Sequence, residues 1–304
     1  MAFNNPSMPW SELERRLTGK DGRAPSPPSP PAPSPSSPPP APEWANGSDS
    51  PAWSRKRAAY EAPADIAGAA HRGAVPYAEL HCHTNFSFLD GASHPEELAE
   101  EAARLGLEAL AVTDHDGFYG VVRFAEAARA VGLPTVFGTE LTLDGPTQPP
   151  LGAADPPGEH LVVLARSPEG YARLARAATT AQLAGQKGAP RIGLDALAEL
   201  AGGEWAVLTG CRKGPLAAAL HADGPAAAGR ALDQLVGLFG REHVHVELWD
   251  HGDPLDTVRN DALAQLAVAR DVPLVATNNV HYAVPAKRRL ATALAAVRSR
   301  RSLG

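Results

Sequence analysis

The stretch ELHCHTNFSFLDG, residues 79–91, sets two histidines one residue apart and an Asp-Gly pair seven residues beyond the second. In an extended strand alternate side chains share a face, so His81 and His83 point the same way while Cys82 points opposite. Their Cβ atoms then lie about 7 Å apart, which lets both imidazoles reach one metal ion at about 2.1 Å. A pair of surface histidines has the same spacing, so the surrounding chain must decide between the two readings.

Around this stretch the chain turns regular. Short apolar runs occupy 77–83, 109–113, 134–141, 160–165, 205–209, 243–249 and 273–277. Helical patterns lie between and after them, at 94–105, 118–131, 168–182, 194–201, 214–222, 225–239, 254–270 and 285–302. The first of these helices is expected to open on Ser93 as its cap, with Pro95 in the first turn and Glu96 three residues on. Alternating strands and helices predict a parallel sheet with right-handed crossovers. Seven such units predict an α/β fold, a distorted seven-stranded (β/α)7 relative of the TIM barrel, with an open doubly wound sheet as the alternative. The segments 144–159 and 184–192 read as rim loops.

A barrel of this kind places chemistry at the C-terminal edge of its strands. The first strand ends in His81 and His83, with Asp90 in the following loop, and the second ends in His115. The third ends in Glu140, the fifth in Cys211, and the seventh in Asn279 and His281. Five strands of seven therefore deliver a donor to one edge. His160 fits less well, because it opens the fourth strand rather than closing it. Either that strand is drawn a few residues wrong, or the preceding loop folds His160 into the mouth. Asp114 and Asp116 flank His115, should face away from it, and read as supporting hydrogen-bond partners. His243, His245 and Glu247 form a rival group with strand spacing, but they sit mostly at the beginning of their strand and read as structural contacts. The donor set mixes imidazole, carboxylate and one thiol, which suits zinc or manganese, and it is large enough for two or three ions sharing carboxylates.

The rest of the chain bounds the problem. Residues 24–42 contain only Ala, Pro and Ser, a composition that forms neither helix nor sheet and reads as a semi-extended linker. Ahead of it, WSELERRL at 10–17 reads as a short helical arm, with Ser11 and Glu14 in capping-box spacing. The expected organisation is an arm at 1–20, a disordered linker at 21–74 and one compact domain at 75–304. The formal charge of −6 argues against a strong grip on duplex DNA by this chain alone. The local cluster Lys287, Arg288, Arg289, Arg298, Arg300 and Arg301 reads as a solvated helix face. Two cysteines fit a reducing cytoplasm, and no apolar run approaches the roughly 18 residues of a membrane span.

LHCHTNFSFLDGASHPEELAEEAARLGLEALAVTDHDGFYG resembles the opening of the polymerase-and-histidinol-phosphatase (PHP) domain, in the form that begins the bacterial C-family DNA polymerases. HLVVLARSPEGYARL, HVHVELWDHGDPLD and ATNNVHYAVPAKRRL resemble that polymerase form in the same order, in the manner of its error-prone branch used in damage-induced mutagenesis. The resemblance implies metal ligands at His81, His83, Asp90, His115, Glu140, His160, Cys211 and His281, with Asn279 where the family commonly has aspartate. It thereby assigns His160 to the ligand set. It implies up to three divalent ions, zinc or manganese, held with one protein charge fewer than usual, and magnesium for polymerisation in the full-length family. DNA, a sliding clamp and accessory mutagenesis proteins are the partners it implies. The polymerase carboxylates of the family lie in an Asp-x-Asp motif far beyond this domain, and Asp114-His115-Asp116 is not that motif. The chain thus looks like the amino-terminal piece of such a polymerase and is not expected to polymerise by itself. A free-standing PHP phosphoesterase and a metal-free interaction module are the competing readings.

Overall fold

The computed structural model describes residues 60–66, 75–143, 158–185 and 189–302. The arm and most of the linker lie outside the described residues. Residues 60–66, which fall inside the expected linker, are packed: Ile66 is buried among the first helices, and the Tyr60 hydroxyl donates to Glu100 at 2.8 Å.

Seven strands form one sheet in sequential order: β1 Ala78–Glu79, β2 Ala109–Val112, β3 Thr135–Thr142, β4 His160–Ala165, β5 Trp205–Leu208, β6 Val244–Leu248 and β7 Leu274–Ala276. Eight helices are described: α1 Pro95–Leu105, α2 Val121–Val131, α3 Pro168–Ala184, α4 Leu194–Ala201, α5 Pro215–Asp223, α6 Pro225–Phe239, α7 Asp256–Arg270 and α8 Arg288–Ser299. The sheet curls until its edges meet. A parallel bridge joins Cys82 to Val280, with the His83 amide donating to the Val280 carbonyl and the Val280 amide to the His81 carbonyl, both at 2.8 Å. The seven-stranded α/β barrel reading therefore holds, and the open sheet does not.

The expectation of an all-parallel sheet is corrected. β4 runs antiparallel to both β3 and β5, while the other neighbouring pairs are parallel. A parallel return from β3 would need a crossover of a dozen or more residues, usually helical. The connecting sequence DGPTQPPLGAADPPGE has no helical period and five prolines, so β4 comes back in reverse. This reversal resolves His160. Because β4 starts where β3 ends, Thr142 pairs with His160, and the first residue of β4 lies at the mouth.

Alternation along the strands separates two layers. Ala111, Val162, Leu164 and Leu208 fill the barrel interior, and their sequence neighbours Leu110, Val112, Leu161, Val163 and Val207 face the helices. The first helix starts one residue later than expected. His94, not Ser93, is its N-cap, because the Glu97 carboxylate reaches back to the His94 amide at 2.8 Å. Ser93 instead accepts from the Ala283 amide at 2.9 Å, which ties the β1 loop to the segment after β7. Glu96 is fully buried and forms a two-point pair with Arg123 of α2, at 2.7 and 3.0 Å. Removing either partner would strand a buried charge, at a cost of about 3–5 kcal/mol.

Candidate metal centre

Three local devices bring the donors together. The first is the Cys82–Val280 bridge itself. Cys82 and Val280 turn outward into the helical layer, so their flanking residues, His81 and His83 on one side and Asn279 and His281 on the other, turn inward. The second is an isolated parallel bridge between His115 and Glu140, which extends the β2–β3 pairing past the end of β2 and sets these two side by side. The third is the tight loop that presents Asp90. A Cβ at Gly91 would lie 1.9 Å from the Thr84 carbonyl oxygen, so only glycine fits after Asp90. Leu89 just before it is held at φ 60°, a left-handed conformation that a branched side chain rarely adopts.

Eight of the nine expected residues, all but His81, line one cavity of about 40 Å³, together with Arg212 and Lys213. His81 lies directly against them, with its Nε2 3.1 Å from His83 Nε2. Glu140 is the hub. Its carboxylate oxygens lie 3.5 Å from His81 Nε2 and His83 Nε2, 3.0 Å from His115 Nδ1 and 3.4 Å from His160 Nδ1. Cys211 Sγ is 3.7 Å from the same carboxylate. Asp90 forms a second focus, 3.1 Å from His115 Nε2 and 3.2 Å from His281 Nδ1. Among the described residues, three overlapping groups could each hold an ion: His81, His83 and Glu140; His83, Asp90 and His115; and His115, Glu140 and His160.

The proton positions follow from the hydrogen bonds. Ser87 has one hydroxyl hydrogen and gives it to Asp114 at 2.7 Å, so it must accept from His83 Nδ1 at 3.2 Å. His83 then presents a bare lone pair at Nε2. His81 donates its Nδ1 hydrogen to the buried carboxylate of Glu247 at 2.7 Å. The two Nε2 atoms 3.1 Å apart therefore need either a proton on His81 or a cation between them. Burial disfavours a charged His81, yet Glu247 and Glu140 outweigh it and hold the imidazole well above its ordinary range. Burial and the charge of His115 push His83 well below. His115 is likewise opposed by burial but raised to about 9 by Glu140 and Asp90. Against the same burial cost, the surrounding histidines hold Asp90 and Glu140 below the usual carboxylate range.

The sequence pattern of the PHP domain family matches residues 79–251, more than half of the chain. The chain belongs to the PHP domain family. It is 54% identical over 302 residues to an error-prone DNA polymerase of Mycolicibacterium paratuberculosis, covering 99% of this chain and 26% of that protein. It is 48% identical over 339 residues to an error-prone DNA polymerase of Nocardia farcinica, covering 97% of this chain and 28% of that protein. The PHP chain thus spans about a quarter of the length of these relatives. A solved structure described as a metal-dependent phosphoesterase from Bifidobacterium adolescentis superposes with a TM-score of 0.48 at 18% identity, over 69% of this chain and 89% of that one.

Divalent ions fit the residues present in this PHP domain. Donor atoms of one tetrahedral ion lie about 3.4 Å apart when each bond is near 2.1 Å, and the contacts around Glu140 and Asp90 span 3.0–3.5 Å. His160 Nε2 and Asn279 Oδ1 are buried and lack a hydrogen-bond partner. Asp114 and Asp116 sit behind the ligands as expected: Asp114 takes three hydrogen bonds from Thr84 and Ser87, and Asp116 takes two from Thr142.

Two members of the centre were missed by sequence reasoning. Glu247 belongs to the support of His81 rather than to a rival group; β6 starts at Val244, so Glu247 lies near its end. It also accepts from Thr277 Oγ1 at 2.5 Å. The other two members of that group stay apart, with His243 Nδ1 2.9 Å from Arg166 and His245 half-buried. Arg298 is the second. It leaves the expected solvated face and places its guanidinium against Asp90 Oδ1. Lys287 leaves it too, pairing with Glu97, whereas Arg288, Arg289, Arg300 and Arg301 are exposed as expected.

Proposed function

We propose that the chain serves as the PHP domain of an error-prone DNA polymerase, where its multinuclear centre fastens the barrel edges and retains a weak phosphoesterase capacity. The observation that carries this reading is the position of Glu140, one buried carboxylate within 3.0–3.5 Å of four imidazoles drawn from β1, β2 and β4. Donors from so many strands make the centre a clasp. Bound ions, of zinc or manganese type, would lower the pKa of a shared water and neutralise phosphate oxygens. Around them, Glu247 orients His81, the Ser87–Asp114 pair orients His83, and Arg212 and Lys213 give the cavity cationic lining suited to a phosphate ester.

The likeness to error-prone polymerases supports DNA as the substrate of the larger protein, in the cytoplasm, with a sliding clamp and accessory mutagenesis proteins as partners and magnesium at its polymerase carboxylates. The described helices include none long and apolar enough to cross a membrane.

Two experiments test this. The reading frame downstream of codon 304 should continue into a palm with an Asp-x-Asp motif; an immediate stop followed by unrelated sequence would favour the free-standing phosphoesterase. Elemental analysis of the purified chain should find more than one transition-type ion, and chelation should lower its melting temperature. Metal-free protein with an unchanged melting temperature would leave the metal-independent module.

A further inference from the structure

Asp90 is held from two sides. Its Oδ2 faces His115 and His281 at 3.1 and 3.2 Å, as a metal-bridging carboxylate would. Its Oδ1 is taken by the guanidinium of Arg298, from the last turn of α8. That turn is fixed. The Ser299 hydroxyl donates to the Ala295 carbonyl at 2.8 Å, and Ser299 is buried. Arg298 is itself mostly buried, with 15% of its side chain exposed. A guanidinium keeps its charge at any pH that the protein survives, so it is a permanent cation beside Asp90.

The cavity that Asp90 lines is short of negative charge. Asn279 lines the same cavity with a neutral amide and a buried Oδ1 that has no hydrogen-bond partner. Among the described residues, Asp90 and Glu140 are then the only carboxylates lining the cavity. Of the three groups able to hold an ion, the one built on Asp90 shares its carboxylate with Arg298.

We propose that Arg298 is a resident substitute for one metal ion. Its guanidinium neutralises Asp90, and the centre holds two ions, one between His81, His83 and Glu140 and the other between His115, Glu140 and His160. The site at Asp90 is closed to metal while α8 is docked. Because the guanidinium and an ion compete for one carboxylate, the competition is reciprocal: an ion at Asp90 weakens the docking of α8 by the same factor by which docking weakens that ion. This inference rests on the metal-centre reading of the preceding subsection.

The test is the ion count and affinity of the purified chain, compared with Arg298→Met, Arg298→Lys and the double variant Arg298→Met with Asp90→Asn. Circular dichroism establishes that each is folded. The expected result is two ions for the wild type and Arg298→Lys, one more for Arg298→Met, and loss of that additional ion in the double variant. In titrations the wild type should bind a third ion at least tenfold more weakly than Arg298→Met does. Equal counts and affinities in wild type and Arg298→Met would overturn the proposal, as would three ions in the wild type. An Arg298→Met variant too unstable to count leaves Arg298→Lys as the decider, since a Lys ammonium that keeps the third ion out is expected and one that admits it contradicts the role of charge. Absence of metal from every variant would instead bring down the metal-centre reading, a result distinct from equal counts.

Discussion

The floor and the rim of the mouth are built differently. On the floor, His81, His83, Glu140 and His160 are almost wholly buried, and each of the first two has its remote nitrogen fixed by a further group, Glu247 or Ser87. On the rim, His281 keeps 30% of its side chain exposed, Asn279 brings no charge, and Asp90 is shared with an arginine. Pre-oriented imidazoles with a common carboxylate lose little freedom on coordination, so the floor should bind first and tightest. The rim must displace an existing ion pair. Affinity in this centre is thus set less by the number of donors than by what already satisfies them.

Substitutions should separate the halves in that order. Glu140→Gln removes the hub charge from both floor groups, and elemental analysis should then find less than one ion per chain; an unchanged count would break the distinction between hub and rim. Glu247→Gln leaves the floor ligands in place but weakens the orientation of His81. Metal affinity measured by competition with a chelator should fall by about 10–100-fold. Asn279→Asp adds a charge at the rim on a backbone held at φ 43°, which Asn and Asp both tolerate. A new contact of this kind is worth about 1–4 kcal/mol, and even its lower end raises rim affinity about fivefold. No gain in calorimetric titration would mean that charge is not what limits the rim.

Proton competition gives a smaller, graded effect. The His115 pKa is raised from 6.5 to about 9, because Glu140 and Asp90 outweigh the opposing effect of burial. In metal-free protein its ion pairs contribute full stability below about pH 6.5 and lose it as pH climbs through about 9. Metal uptake displaces the same proton, so affinity should rise across that window and level off above it. Calorimetric melting of chelated and loaded protein should therefore diverge between pH 6.5 and 9. Parallel curves would show that His115 does not titrate against metal.

The residues differ in how far they could be read from sequence. The spacing of His81 and His83 on an extended run specifies their shared face, and the donors closing the second, third, fifth and seventh strands follow from the alternation of strands and helices. His160 resisted because strand direction is not written in hydrophobic period. Its signal lay in the lack of a helical pattern between Leu143 and His160, which makes a parallel return difficult. Glu247 was visible as a strand residue, but its hydrogen bond to His81 spans 166 positions in sequence. Arg298 carried no local signal at all, since only the docking of α8 distinguishes it from the exposed arginines beside it.

Anomalous diffraction from crystals grown with zinc or manganese tests the convergence of these donors most directly. Peaks should appear within about 2.0–2.2 Å of His81 Nε2, His83 Nε2 and a Glu140 oxygen, and again beside His115 and His160. Peaks confined to surface histidines, or none in the barrel mouth, would contradict it.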